Sequence, residues 1–229
     1  MSFVFYPTTM AGEDIASYID HTLLRPDATA SQVLQLCDEA RSYGFAAVCV
    51  PPCYVQQAKE RLGVGSLVKI ATVIGFPLGY QHPKVKFLET HQAIEDGANE
   101  IDVVMNVSLF KSGKYKEVEN ELSDLAKFCH MRDAELKVII ETALLTEEEI
   151  IKACSICTSA GADYVKTSTG FAAKGATVDH IKLMRRVLPS KMKIKASGGI
   201  RTTAEAEALI KAGADRLGCS ASIQIVSHE

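Results

Sequence analysis

Two hydrophobic periods alternate along this chain. Segments with apolar residues every three or four positions each give way to a glycine, then to a short, nearly continuous apolar run. The clearest copies are "EDGANEIDVVMN", "SAGADYVKTS" and "KAGADRLGCS", with "SYGFAAVCV" a looser fourth. The first period is that of an amphipathic helix and the second that of a buried strand. Gly97, Gly161 and Gly213 stand where each helix must stop, because glycine accepts the left-handed conformation after a last turn. Thr29 to Gln32, Thr146 to Glu149 and Thr202 to Glu205 carry the capping-box pattern of a helix start.

Read through the whole chain, the pattern predicts eight strands, near His21–Leu24, Phe45–Val50, Leu67–Gly75, Glu100–Asn106, Leu136–Thr142, Asp163–Thr167, Met192–Ala196 and Arg216–Cys219. Helical patterns fall between them at Ser31–Tyr43, Tyr54–Leu62, Lys84–Asp96, Tyr115–Arg132, Glu147–Ala160, Val178–Leu188 and Ala204–Ala212. Strand–helix alternation of this kind means parallel strands joined by right-handed crossovers. Eight such units favour an α/β fold, a single (β/α)8 TIM barrel with a short N-terminal helix, over an open doubly wound sheet. The open sheet lacks its usual mark here, a GxGxxG after the first strand. No linker or low-complexity tract interrupts the pattern, so residues 1–229 read as one domain.

Composition adds mainly exclusions. The chain has 229 residues and is 47% hydrophobic, enough to fill a barrel core. A net charge of −3 gives no general attraction to nucleic acid or to an anionic membrane. No apolar run reaches ~18 residues and the N-terminus has no signal-peptide pattern. Seven scattered cysteines fit a reducing, cytoplasmic setting. Cys154 and Cys157 spell CxxC, but inside a helical pattern and with no second pair at metal-binding spacing. No metal and no cofactor is expected. "KSGKYKEVENEL" reads as a solvated helix start, since it lacks the spacing of a phosphate loop.

Polar residues inside apolar strands then stand out. Asp102 interrupts "EIDVVMN", Lys137 opens "LKVIIET", Lys166 ends "DYVKT" and Lys195 ends "MKIKASGG". In a barrel of this kind the strand C-termini carry function. One lysine there can snorkel to water. Two on adjacent strands, ~4.8 Å apart, lower each other's pKa. A lysine that is neutral near pH 7 attacks a carbonyl to give a Schiff base, and the iminium stabilises a carbanion, which supports aldol chemistry without a metal. Asp102, directly or through a water, is placed to move the protons.

Three glycine-bearing turns follow strands six, seven and eight: "TSTG" at 167–170, "SGG" at 197–199 and "GCSAS" at 218–222. Backbone amides approach an anion closely where no side chain intervenes, and barrels commonly hold phosphate in the loops after strands seven and eight. A phosphorylated carbonyl substrate is the expectation.

With "IDHTLLRP", "AAVCVPP", "GFPLG", "EIDVVMN", "LKVIIET", "DYVKTSTGF", "KASGGIRT" and "RLGCSAS" in that order, the chain from Ile15 to Val226 resembles the deoxyribose-phosphate aldolases. The resemblance implies a metal-independent class I aldolase on a TIM barrel. Its reaction is reversible cleavage of 2-deoxy-D-ribose 5-phosphate to D-glyceraldehyde 3-phosphate and acetaldehyde, in deoxyribose phosphate catabolism. It implies Lys166 as the Schiff-base nucleophile, and Lys195 and Asp102 as proton donors and acceptors. Thr169, Gly170, Gly198, Gly199, Gly218 and Ser220 are implied to bind phosphate, with Lys137 in support. Cys49 matches a family cysteine near the substrate that can react with excess aldehyde; plain buried packing is the other reading of it. A homodimer or homotetramer is implied. Two departures stand out: Phe171 where some members carry a basic residue, and a chain ending in "VSHE" where some carry a tail tyrosine. His21 reads as a core histidine holding a backbone carbonyl. Other phosphosugar barrels, isomerases or synthases working by acid–base chemistry alone, share the turns but not the lysine pair; a non-catalytic barrel that only binds phosphorylated ligands is a third reading.

Overall fold

The computed structural model describes residues 15–227. Eight parallel strands close into a barrel in sequence order: β1 (Ile19–Thr22), β2 (Ala47–Val50), β3 (Lys69–Ile74), β4 (Glu100–Val104), β5 (Glu135–Ile139), β6 (Tyr164–Lys166), β7 (Lys193–Ser197) and β8 (Arg216–Cys219). Outside them run α1 (Ala30–Tyr43), α2 (Val55–Leu62), α3 (Pro83–Asp96), α4 (Val107–Lys111), α5 (Tyr115–His130), α6 (Glu147–Ala160), α7 (Val178–Val187), α8 (Thr203–Lys211) and α9 (Ser222–Val226). This is the predicted (β/α)8 architecture. Among the described residues ahead of β1, Ile15 and Ala16 are helical; the expectation of a short N-terminal helix otherwise falls outside the described residues.

The local signals act as the sequence predicts. Glu149 returns its side chain to the Thr146 amide at 2.8 Å, and Glu205 does the same for Thr202 at 3.1 Å. At Thr29 the Gln32 side chain accepts the cap amide at 3.0 Å. Gly97 and Gly161 close α3 and α6 in the left-handed conformation.

Along each strand side chains alternate between two faces. Ile101, Val103, Leu136, Val138, Val165, Ile194 and Leu217 belong to one continuous apolar core with the inner faces of the helices. Cys154 and Cys157 are buried in that layer on α6. The barrel interior is divided. Cys49, Ala71 and Val73 form a separate small apolar cluster on β2 and β3, with Leu24 and Phe76 against it. The remaining strands fill the interior with charge.

β1 begins two residues earlier than expected, at Ile19 rather than His21. The cause is Asp20, an inward-facing acid that an apolar-run reading leaves outside the strand. The short helix α4, capped by Asn106 accepting the Leu109 amide at 3.0 Å, was not foreseen. Five residues are too few to show a period. Among the described residues no helix is long and apolar enough to cross a membrane.

Candidate active site

Charge recurs at every second position on three strands, Glu100 and Asp102 on β4, Glu135 and Lys137 on β5, and Lys193 and Lys195 on β7, with Glu135 and Lys193 paired at the exposed end; β8 and β1 add Arg216 and Asp20 singly. Lys166 ends β6 directly opposite Lys195 in the parallel register, and Asp102 is opposite Lys137. Asp102 is the hub. Its Oδ2 accepts from Lys166 Nζ and from Lys195 Nζ, each at 2.7 Å, and its Oδ1 accepts from Lys137 Nζ at 2.8 Å. Lys137 also meets Glu100 at 2.5 Å. Lys195 also donates to Asp20. Arg216 joins Asp20 and Glu100, each at 2.6 Å, above the ring of Tyr164.

Seven of these groups are buried, all but Glu135 and Lys193. Four are basic (Lys137, Lys166, Lys195, Arg216) and three are acidic (Asp20, Glu100, Asp102), so full ionisation leaves one positive charge unmatched. An unmatched buried charge is costly. Lys137, Lys195 and Arg216 each bridge two carboxylates within hydrogen-bonding distance, whereas Lys166 meets one. Lys166 is therefore the member that gives up its proton most easily.

The pKa directions agree. Burial lowers Lys166; Asp102 opposes this and Lys195 adds to it, leaving the amine below the ordinary lysine value. Burial also works against Lys195, but Asp102 and Asp20 outweigh it and raise Lys195 well above that value. Lys137 is raised likewise by Asp102 and Glu100 against burial. Burial would raise Asp102, yet Lys137, Lys166 and Lys195 together hold it well below the carboxylate range. The sequence reading put the cause of a low Lys166 pKa in Lys195. The structure corrects the order: burial comes first and the second amine adds to it.

Above this network, at the C-terminal end of the barrel, opens a cavity of about 740 Å³. Among the described residues Lys166 is the one lysine that lines it. Around it stand Gly170, Gly198, Gly199, Gly218 and Ser220, so the three predicted turns do converge on one space. Thr169 also lines it, but its amide and hydroxyl both donate to Glu141 Oε2, the amide at 3.1 Å. The donors expected to grip phosphate at Thr169 are thus already engaged. Gly218 has a second reason to be glycine. A Cβ there would lie 2.9 Å from Ser197 Cβ and 3.2 Å from Lys195 Cε, so a side chain would displace the Lys195 stem.

Cys49 faces the interior beside the lysines, with burial raising its thiol. His21 does not hold a backbone carbonyl. Its ring nitrogens meet Ser222 Oγ at 2.9 Å and Glu39 Oε2 at 2.8 Å, tying β1 and α1 to the start of α9. Phe171 packs edge-on against Phe76, with ring centroids 5.2 Å apart at the cavity rim. Asp20, Glu100, Arg216 and Glu141 were missed in the sequence. Of these, only Glu100 carries a signal in its own strand, a charge two positions before Asp102; Asp20 and Arg216 stand alone on theirs.

A closed parallel eight-stranded barrel with a lysine of lowered pKa lining the cavity at its C-terminal end has the layout a Schiff-base aldolase needs, and the comparisons show the aldolase class. Residues 15–224 match the model of the DeoC/LacD family aldolases. Deoxyribose-phosphate aldolase of Thermococcus gammatolerans is 52% identical over 95% of this chain and 97% of that protein. Deoxyribose-phosphate aldolase 1 of Vibrio vulnificus is 52% identical over 93% and 95%. The tetrameric deoxyribose phosphate aldolase of Aeropyrum pernix superposes with a TM-score of 0.87 at 38% identity, covering 95% of this chain and 91% of that one. The chain belongs to the DeoC/LacD aldolase family.

Proposed function

We propose that the protein reversibly cleaves 2-deoxy-D-ribose 5-phosphate to D-glyceraldehyde 3-phosphate and acetaldehyde, with Lys166 as Schiff-base nucleophile. The observation that carries this is the contrast among three interior lysines. Lys137 and Lys195 are raised and enclosed, while Lys166 is lowered and lines the cavity.

The free amine of Lys166 adds to C1 of the open-chain sugar, and loss of water gives the iminium. The C3 hydroxyl then gives up its proton, the C2–C3 bond breaks, and its electron pair flows into the iminium to form an enamine. C3 becomes the aldehyde of glyceraldehyde 3-phosphate. Protonation at C2 and hydrolysis release acetaldehyde and restore the amine. Lys195, held as an ammonium, and Asp102, held as a carboxylate touching both amines, are the proton donor and acceptor pair. Their shared oxygen gives a proton a path between the two lysines. Gly170, Gly198, Gly199, Gly218 and Ser220 take the phosphate end, and Lys137 fixes Asp102. The protein works in the cytoplasm in deoxyribose phosphate catabolism as a homo-oligomer, a reading supported by the tetramer of the Aeropyrum pernix relative.

Borohydride reduction in the presence of acetaldehyde tests it. An N-ethyl adduct on Lys166, found by peptide mass mapping, is expected, together with release of glyceraldehyde 3-phosphate in a coupled dehydrogenase assay. An unmodified Lys166, or full turnover by Lys166→Ala, refutes the reading.

A further inference from the structure

Glu141 has no part in the chemistry above and is built unusually. It follows β5 by two residues, is 5% exposed and sits at φ 53°, ψ 67°. A residue with a Cβ disfavours this left-handed backbone, which persists only where its surroundings enforce it, often at functional sites. The other described non-glycine residue at positive φ, Asp133, lies in an exposed turn.

No lysine, arginine or histidine pairs with Glu141 among the described residues, and its Oε1 has no hydrogen-bond partner. Its Oε2 accepts the amide and the hydroxyl of Thr169, and that hydroxyl in turn accepts the Phe171 amide at 3.1 Å. A carboxylate buried without a cation is unfavourable, and what it holds here is the Thr-Ser-Thr-Gly turn.

The other side of that turn is fastened to β7. Thr167 Oγ1 accepts the Ser197 amide at 3.1 Å, and Ser197 Oγ donates to the Ser168 carbonyl at 2.6 Å. Lys166 is fixed separately, by the barrel register and by Asp102. Loosening Thr169 therefore leaves the nucleophile in place and frees Gly170, the next residue to line the cavity. Gly170 faces the β7 turn closely: a Cβ built on Gly198 would lie 3.5 Å from its Cα.

We propose that Glu141 is a positioning residue for the phosphate end of the substrate, presetting the Thr169–Gly170 turn against Gly198 and Gly199. The inference rests on the aldolase reading for the identity of the phosphorylated substrate. Glu141 acts through Thr169 and does not itself touch that substrate.

The test compares wild type with Glu141→Gly, which removes the carboxylate while permitting the left-handed backbone, and with Glu141→Gln, which keeps an acceptor oxygen. Inorganic phosphate binding is measured by titration calorimetry, and turnover is measured on 2-deoxy-D-ribose 5-phosphate and on unphosphorylated 2-deoxy-D-ribose. In Glu141→Gly, phosphate binding weakens about tenfold, the size of a lost charge-assisted hydrogen bond, and KM for the phosphorylated sugar rises by a similar factor. Turnover of the unphosphorylated sugar falls far less, and Glu141→Gln returns to within about threefold of wild type. Thr169→Val gives a smaller effect of the same kind and adds little to Glu141→Gly, as expected of two residues in one contact. Unchanged phosphate affinity in folded Glu141→Gly, equal losses on both sugars, or no phosphate binding by wild type overturns the proposal. Glu141-dependent phosphate binding by a wild-type protein that turns over neither sugar refutes the aldolase reading alone.

Discussion

Lys166 and Lys195 donate to the same oxygen, Oδ2 of Asp102, each at 2.7 Å and from directly opposed positions of β6 and β7. One carboxylate oxygen therefore serves two ammonium groups, and it cannot satisfy both charges fully. Lys195 keeps its proton through Asp20. Among the described residues Lys166 has no second acid.

Replacing Lys195 with leucine removes a neighbouring charge that lowers Lys166 and leaves Asp102 free of its competing ammonium. Both changes have the same sign, so the pH at which Lys166 becomes a free amine moves upward. Burial, the larger cause, stays in place, so the shift is partial. The acidic limb of the pH–rate profile should move to higher pH; a profile that only drops in height, without moving, would mean that Lys195 acts on protons alone.

Asp102→Asn has the opposite sign on the nucleophile. The carboxylate raises Lys166, so its loss lowers the amine further, and borohydride trapping of acetaldehyde should begin at lower pH than in wild type. Turnover should nevertheless fall, because the proton path is gone. Stability should fall as well, by about 3–5 kcal/mol, since Lys137, Lys166 and Lys195 lose a shared buried partner. Urea denaturation alongside the trapping profile separates the two effects. Trapping that shifts to higher pH contradicts the assigned electrostatics.

Much of this architecture is legible in the chain, and the reasons it stops being legible are physical. Alternating helical and apolar periods with glycine stops give the barrel, because each is a local property. Lys166, Lys195 and Asp102 are visible because a charge within an apolar run contradicts its surroundings. Glu100 and Arg216 open β4 and β8, and a charge at a strand end looks like a residue facing water. Only closure of the barrel encloses it. Glu141 lies further out of reach, since its backbone conformation and its bond to Thr169, 28 positions on, are set by tertiary contacts. The cause of the Lys166 shift was misordered for the same reason. Burial is a property of the closed fold, while the neighbouring lysine can be read from the text.

Gly218→Ala probes the packing around the second lysine. The added Cβ would lie 3.2 Å from Lys195 Cε and 2.9 Å from Ser197 Cβ, and the backbone at this position is not at positive φ, so the effect is steric. Pushing the Lys195 stem aside weakens its contact with Asp102. A misplacement of ~1 Å at a reacting group costs on the order of 10²-fold, so kcat should drop by about one to two orders of magnitude. KM for phosphorylated sugar should rise too if the turn after β8 shifts with it. Activity within about twofold of wild type would show that the interior yields without disturbing the lysine.

The same network sets the acid limit of the fold. Burial would raise the Asp20 carboxyl, but Lys195, Arg216 and Lys137 overcome it and hold the group at about 2, below its ordinary value of 3.8. Asp102 is lowered in the same way by its three lysines. A group lowered in the folded state contributes stability that is present above its unfolded value and lost as pH falls towards its folded one. Between pH 3.8 and about 2 the unfolded chain takes up protons that the folded barrel refuses. For Asp20 the stabilisation at neutral pH is on the order of 2 kcal/mol. The stability curve should therefore fall steeply over that window, and Asp20→Asn, already weaker at pH 7, should show a shallower acid limb by about one proton. Guanidinium melts at stepped pH give both slopes. Equal slopes for wild type and variant would place the acid sensitivity elsewhere than in the barrel interior.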